Sequence, residues 1–233
     1  MEIQYGPLDA SIVSKAKSSL QEALKDFYHN CVDIESNIFD VNIGNPDNIQ
    51  TKFQKSFTGL QFESKDKRNF CRITAGALSY HQLANYRGFD NFISFSKDTF
   101  PRILKLIDVN TILNIKMRYL NLLKLPDSVK LEDLQKYFTF GIFSSDGDSK
   151  VVKTFRSQLV ESLDGDRVFV SRVITPEGSN ASKIILDLTV INNTTIIGDF
   201  GSTNVFDIID ELRRIKNNTF ESSITDASRN LFS

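Results

Sequence analysis

Apolar and polar residues alternate over residues 113–125, and this alternation predicts the central strand of the fold. The odd positions from Leu113 to Leu125 are apolar or aromatic except Asn121, so we expect one face of the strand to lie against a core. The even positions are polar up to Arg118 but apolar at Leu120 and Leu122. The late part of the strand is therefore predicted to be covered on both faces.

Helical periodicity marks four other segments. Apolar residues recur at helical spacing between residues 9 and 27, with Asp9 as the N-cap, and again over residues 90–107 and 203–216. Pro101 lies inside the second of these runs and removes one backbone hydrogen bond, which predicts a kink or a restart of the helix. A shorter helix is predicted over residues 131–138.

Shorter apolar runs indicate antiparallel strands. In the first half, a hairpin is predicted over residues 60–82, with a polar turn at 65–69 and a bulge at 75–77, whereas residues 37–51 resemble a loop. In the second half, the polar segment 144–149 resembles a linker. A meander of three or four strands follows it, predicted over residues 150–161, 167–175 and 182–191, with residues 194–197 as the fourth strand if there is one.

Together these elements predict an α+β fold. We expect two lobes of mainly antiparallel sheet, with helices packed on one face of the sheet. The N-terminal lobe would span residues 1–143. The C-terminal lobe, a β-meander plus helix, would span residues 150–233 and share the core of the first, as one evolutionary unit.

Composition narrows the class of protein. The chain has 28 basic and 29 acidic residues and a net charge of -1, which argues against strong attraction to nucleic acid or an anionic membrane. Cys31 and Cys71 form no metal-ligand or disulfide pattern, so no metal and no cofactor is predicted. No secretory signal and no uninterrupted apolar stretch of membrane-spanning length is visible. We therefore expect a cytoplasmic protein without membrane contact.

The central strand also carries a resemblance. Residues 118–121 read Arg-Tyr-Leu-Asn and are followed by an aliphatic run to Leu125-Pro126. This resembles the Arg-Tyr-aliphatic-Asn signature of a family of conserved hypothetical prokaryotic proteins with a sporadic distribution in bacteria and archaea. Further similar positions, in the same order, are Tyr86, Phe89, Phe92, Phe220, Ile224 and Thr225. The resemblance implies a cytosolic α+β protein and no particular activity, and the sporadic distribution suggests a mobile defence or toxin–immunity gene set.

Four residues are candidates for ligand binding. Arg118 has a planar donor fork that suits a phosphate or carboxylate, although an Arg in this position can also pair with a carboxylate at the edge of the core. Asn121 can bind a ligand or satisfy backbone groups, and Tyr119 lies between these two residues. His81 can act as a general base near neutral pH, or occupy the surface as a structural residue. No catalytic residue is predicted.

A basic hairpin tip is the candidate for nucleic-acid binding. Lys65, Lys67 and Arg68 follow each other closely there and are able to meet a phosphate backbone. Asp66 and Glu63 lie among them and favour a solvated turn instead. Nucleic acid is therefore a disfavoured partner.

The sequence supports two main hypotheses of function. Because it contains no glycine-rich phosphate loop, no Gly-x-Ser-x-Gly elbow and no His-Glu-x-x-His pair, it leaves open whether any reaction is catalysed. The leading hypothesis is a non-enzymatic protein-binding or assembly module, in which a partner or a second copy adds a strand to the meander edge. The alternative is a small-ligand or nucleotide-binding protein with a pocket near Arg118 and Asn121.

Overall fold

The computed structural model describes residues 1–43, 49–83, 88–126, 129, 131–141, 155–177, 180–198, 200 and 203–231. The chain forms two compact units. The first unit comprises Met1–Leu113 and Thr195–Ser202, and the second comprises Asn114–Thr194 and Thr203–Ser233. The linker predicted at residues 144–149 lies outside the described residues.

The first unit contains an antiparallel sheet of five strands in the order β2-β3-β4-β5-β1. These strands are β1 (Glu2–Tyr5), β2 (Asn30–Ile43), β3 (Ile49–Glu63), β4 (Asn69–Thr74) and β5 (Ala77–Gln82). The first residues of a sixth strand, β6 (Thr111–Lys124), also belong to this unit. They pair with a short strand that follows much later in the chain, Ile196–Ile197.

The described part of the first unit also contains three helices: α1 (Ala10–Lys15), α2 (Lys17–Leu24) and α3 (Phe89–Leu106). The carboxylate of Asp9 accepts a hydrogen bond from the backbone of Ser11, which confirms Asp9 as the predicted N-cap. α3 continues through Pro101, so of the two predicted alternatives, a kink or a restart, the restart is wrong. Burial of the apolar side of α3 offsets the one missing hydrogen bond, since Phe100 and Ile103 are fully buried.

Two predictions of irregular structure in the first unit are also wrong. Residues 37–43 and 49–51 are strand rather than loop, because β2 and β3 form a long hairpin arm that pairs as far as Ile43 and Ile49. The arm satisfies its backbone groups by pairing between its two strands. The bulge predicted at residues 75–77 is instead the turn between β4 and β5, closed by hydrogen bonds to the hydroxyl of Thr74.

The second unit contains most of β6 and three further strands: β7 (Ser157–Leu163), β8 (Val168–Glu177) and β9 (Asn180–Asn192). Their order is β6-β9-β8-β7, and every pairing is antiparallel. The predicted three-stranded meander is confirmed, whereas the short strand Ile196–Ile197, at the position of the possible fourth strand, pairs with β6 instead. With the helices of both units, this confirms the predicted α+β class with mainly antiparallel strands.

Among the residues of the second unit that the structure describes, the helical elements are a short 3-10 helix (Leu131–Lys136), α4 (Thr203–Ser223) and α5 (Asp226–Arg229). α4 packs against β9. It does not end near residue 217 as predicted but continues for almost two turns. Thr219 and Ser223 are buried there, and the Ser223 hydroxyl donates a hydrogen bond to the carbonyl oxygen of Thr219.

The core of the second unit takes its side chains from one face of the sheet. Ile184, Leu186 and Leu188 of β9 are fully buried and pack with Leu123 of β6 and Leu134 of the 3-10 helix. On the opposite face of β6, Leu120 is 63% exposed and Leu122 is 46% exposed. The predicted cover on both faces of β6 is therefore wrong.

The start of β6 differs from the prediction as well. Leu113, which was expected to face inward, is exposed, whereas its neighbour Ile112 is fully buried. From Ile115 onward the buried positions are odd, as predicted, with Met117 and Leu123 also in the core. The alternation thus shifts by one residue between Ile112 and Ile115.

The two units share a chain path. In each, an opening strand (β1 or β6) is followed later by a meander, of four strands in the first unit and of three in the second, whose last strand returns to pair antiparallel with the opening strand. A long helix follows that last strand, directly as α3 in the first unit and after the short strand Ile196–Ile197 as α4 in the second. None of the described helices is long and apolar enough to cross a membrane.

Candidate functional site

Arg118 lies on the exposed face of β6 and binds a carboxylate. Its Nε donates to both carboxylate oxygens of Asp187, at 2.9 and 3.2 Å, and a terminal guanidinium nitrogen donates to Oδ2 at 2.7 Å. This hydrogen-bonded pairing with Asp187 raises the pKa of Arg118. The guanidinium is therefore already occupied by Asp187, in agreement with the alternative that Arg118 pairs with a carboxylate of the protein itself.

Asn121 and Tyr119 leave β6 on the other face. The amide nitrogen of Asn121 donates to the carbonyl oxygen of Leu186 at 3.2 Å, so it satisfies a backbone group of the neighbouring strand. The ammonium of Lys216 on α4 lies 4.1 Å from the centre of the Tyr119 ring. Burial, and then the charge of Arg213, lowers the pKa of Lys216.

The predicted ligand residues thus do not converge on one point. Arg118 and Asn121 are three positions apart on a strand, so their side chains leave on opposite faces. His81 belongs to the first unit, where its ring stacks on Phe70 at 4.5 Å and Nε2 shares a hydrogen bond with the Ser79 hydroxyl. A ligand role for these residues stays a prediction.

The predicted nucleic-acid residues are grouped at the turn between β3 and β4. Lys65, Lys67 and Arg68 are all exposed there. Asp66 lies among them and accepts hydrogen bonds from the Ser64 hydroxyl and the backbone of Arg68, which together lower the pKa of its carboxyl. An ionised carboxylate at the centre of the tip weakens the attraction for phosphate.

A groove that the sequence analysis missed lies between α4 and the strands β7 and β8. Its volume is about 460 Å³. The residues that line it are Glu161, Leu163, Asp164, Val168, Val170, Arg172, Glu211, Arg214, Ile215, Asn218, Thr219 and Ser222. They are distant in sequence and form no motif, and none of the seven predicted binding residues is among them.

Arg172 is the most buried charged side chain of this groove. It is 11% exposed, pairs with Glu161 across the β7–β8 ladder and lies 5.2 Å from the centre of the Phe140 ring. Its Nε is buried and has no hydrogen-bond partner in the described part of the chain. This nitrogen is therefore a donor without an acceptor.

The other charges of the groove are unevenly paired. Arg167, at its rim, forms an ion pair with Asp164 and lies 3.8 Å from a carboxylate oxygen of Glu211. Arg214 is exposed, and among the described residues it has no carboxylate partner. The groove thus contains one arginine whose charge the described chain does not neutralise.

Strand β7 forms one wall of the groove and the edge of its sheet. Within the described residues it pairs with β8 alone, so the backbone groups on its other side have no strand partner. Leu159, Val160 and Leu163 are exposed along it, Val160 to 57%. The strand contains neither Lys nor Pro, the residues that commonly protect an edge strand from further pairing.

Other kinds of site find no support in the described residues. No group of three His, Cys, Asp or Glu side chains there is able to hold a metal ion. Cys71 is fully buried, and burial raises the pKa of its thiol, which keeps it neutral and unreactive.

No protein-family model, curated protein or solved structure matches the chain. The family resemblance of residues 118–121 accordingly stays a prediction.

Proposed function

We propose that this protein is a non-enzymatic protein-binding module and that it binds an extended segment of a partner along the edge of β7. The edge of β7, which has exposed apolar side chains and no second strand partner in the described part of the chain, is the observation that supports this function. A partner strand would supply backbone hydrogen bonds to the edge and bury Leu159, Val160 and Leu163. Affinity would then come from the backbone, and selectivity from the groove beside the strand.

The proposal includes features that the sequence analysis predicted. Helices cover one face of the antiparallel sheet in each lobe and leave an edge accessible, and the protein acts in the cytoplasm. Its partner belongs to the same mobile defence or toxin–immunity gene set, or is a second copy of the chain. The sporadic distribution of the family that residues 118–121 resemble supports the first of these partners.

A second candidate function is the binding of a small ligand or nucleotide. The groove supports it, since a volume of about 460 Å³ lies within the range of small-molecule sites. A ligand at the predicted position, Arg118, would instead have to displace Asp187 from the guanidinium. The groove is therefore the better place for a small anionic ligand.

The test uses a displayed library of random linear peptides, selected on the immobilised protein. We expect selected peptides to bind about ten-fold more weakly to Val160→Lys, because a lysine on the edge opposes strand addition. Leu120→Lys is the matched control: it also places a lysine at an exposed apolar position of the same sheet face, but on β6. This control should retain the wild-type affinity.

Hydrogen exchange locates the bound peptide. Amides of residues 157–163 should gain protection when the peptide binds, because their free groups become paired. Equal weakening by both lysine variants, or protection confined to other strands, would show that the edge of β7 is not the binding site. Failure to select any peptide would also contradict the proposal.

A further inference from the structure

We infer that the segment bound by β7 carries an acidic side chain, which enters the groove and pairs with Arg214. This inference rests on the proposed function and adds to it the chemistry of the partner. It predicts a segment with an Asp or Glu and an apolar residue two positions away from it.

The position of the groove follows from the alternation of β7. Leu159, Glu161 and Leu163 point to one side of the strand, because they are two residues apart, and Glu161 and Leu163 line the groove. A strand added next to β7 would also direct every second side chain to this side. Those side chains would enter the groove region between β7 and α4.

The charges of the groove favour an acid over a base in this position. Its carboxylates, Glu161, Asp164 and Glu211, are all engaged by Arg172 and Arg167. Arg214 remains without a carboxylate among the described residues, and the buried Nε of Arg172 has no acceptor there. An incoming carboxylate would pair with Arg214. Its oxygens are also hydrogen-bond acceptors, which the Nε of Arg172 lacks among the described residues. An incoming ammonium would instead add an unpaired charge.

The apolar residues of the groove indicate which kind of side chain the partner has next to its acidic residue on the same face of the strand. Leu163 of β7 and Ile215 of α4 line the groove together with Val168 of β8. Apolar side chains of the partner are stabilised by contact with these residues. Because only alternate residues of an added strand face the groove, the apolar residue lies two positions from the acid.

The experiment repeats the peptide selection on the wild-type protein, on Arg214→Glu and on Arg102→Glu. Arg102 is the matched control, since it is an exposed arginine on a long helix, α3, and likewise has no ion pair among the described residues. Wild type and Arg102→Glu should both select peptides with an Asp or Glu. Arg214→Glu should select Lys or Arg in its place and bind the wild-type peptides about ten-fold more weakly.

The outcomes separate this inference from the proposed function. Peptides that respond to Val160→Lys but lack an acid, or that bind Arg214→Glu as tightly as wild type, would overturn the inference and leave strand addition intact. Binding that is insensitive to Val160→Lys would overturn the proposed function itself. Thermal melts serve as the control for folding. Because Arg214 is exposed, the wild type and Arg214→Glu should melt at the same temperature, so that a difference in binding does not come from unfolding.

Discussion

At the scale of single residues, Arg118 shows how an exposed ion pair can occupy a side chain that resembles a ligand-binding group. The pair with Asp187 is bidentate, and it joins β6 to β9 diagonally, since Leu120 rather than Arg118 is the direct partner of Asp187. The Arg118 side chain is 55% exposed, so water screens much of the attraction. Its contribution to stability is therefore modest.

A double-mutant cycle measures this contribution. Arg118→Ala, Asp187→Ala and the combined variant should give a coupling free energy of unfolding of about 0.5–1 kcal/mol in urea denaturation. This value is at the upper end for exposed pairs because the geometry is bidentate. A coupling indistinguishable from zero would show that Arg118 does not brace the sheet and would favour a ligand role for it.

At the scale of elements, a bulge shapes the long arm formed by β2 and β3. The register shifts between Ile34 and Glu35, so that Thr58 is an extra residue on β3, and its hydroxyl donates to the carbonyl oxygen of Ile34 at 3.0 Å. Gly59 follows directly and pairs with Thr74 on β4. The strands approach so closely there that a side chain has no room.

Gly59→Ala tests this close approach. An added Cβ would meet the backbone carbonyl oxygen of Ile73 and the Cα of Thr74, the latter at 3.0 Å. We expect a loss of about 1–3 kcal/mol in the free energy of unfolding, because the two strands must separate. Gly76→Ala is the control, since an added Cβ there has no neighbour within 4 Å. If both variants unfold at the same urea concentration, the close packing at Gly59 is wrong.

At the scale of the whole molecule, a buried thiol and buried phenols should make the free energy of unfolding depend on pH in the alkaline range. Burial raises the pKa of the Cys71 thiol and of the Tyr28 and Tyr80 phenols, which lie in the core of the first unit. In an unfolded chain these groups ionise near about 8.5 for Cys and about 10 for Tyr. Above those values the unfolded chain loses protons that the folded chain keeps, so the folded state becomes less stable as the pH rises.

The free energy of unfolding should accordingly change little between about pH 7 and pH 8 and then decrease, by at most about 1.4 kcal/mol per pH unit for each group. Urea denaturation between neutral and alkaline pH measures this slope. Tyr28→Phe removes one phenol without changing the ring, so it should preserve stability at neutral pH and reduce the slope above about pH 10. An unchanged slope in this variant would contradict the assignment of a raised pKa to Tyr28.

Much of the fold could be predicted from sequence because it depends on neighbours along the chain. Asp9 caps the first helix through a residue two positions away, and the alternation from Ile184 to Val190 places one face of β9 in the core. Local sequence patterns gave wrong predictions where a segment is stabilised by contacts with residues distant in sequence. The β2–β3 arm is ordered by pairing between strands, and α4 is extended by the burial of Thr219 and Ser223, neither of which periodicity reveals.

By itself, the sequence determined the type of most elements, the buried face of β9 and the odd-numbered core positions of β6 from Ile115 onward. Only the tertiary structure decided what its charged residues do. Arg118 forms an ion pair with Asp187, 69 positions later in the sequence, and the groove is lined by residues of β7, β8 and α4. Backbone periodicity is a local property, whereas the partner of a charge and the accessibility of a strand edge depend on which segments the fold brings together.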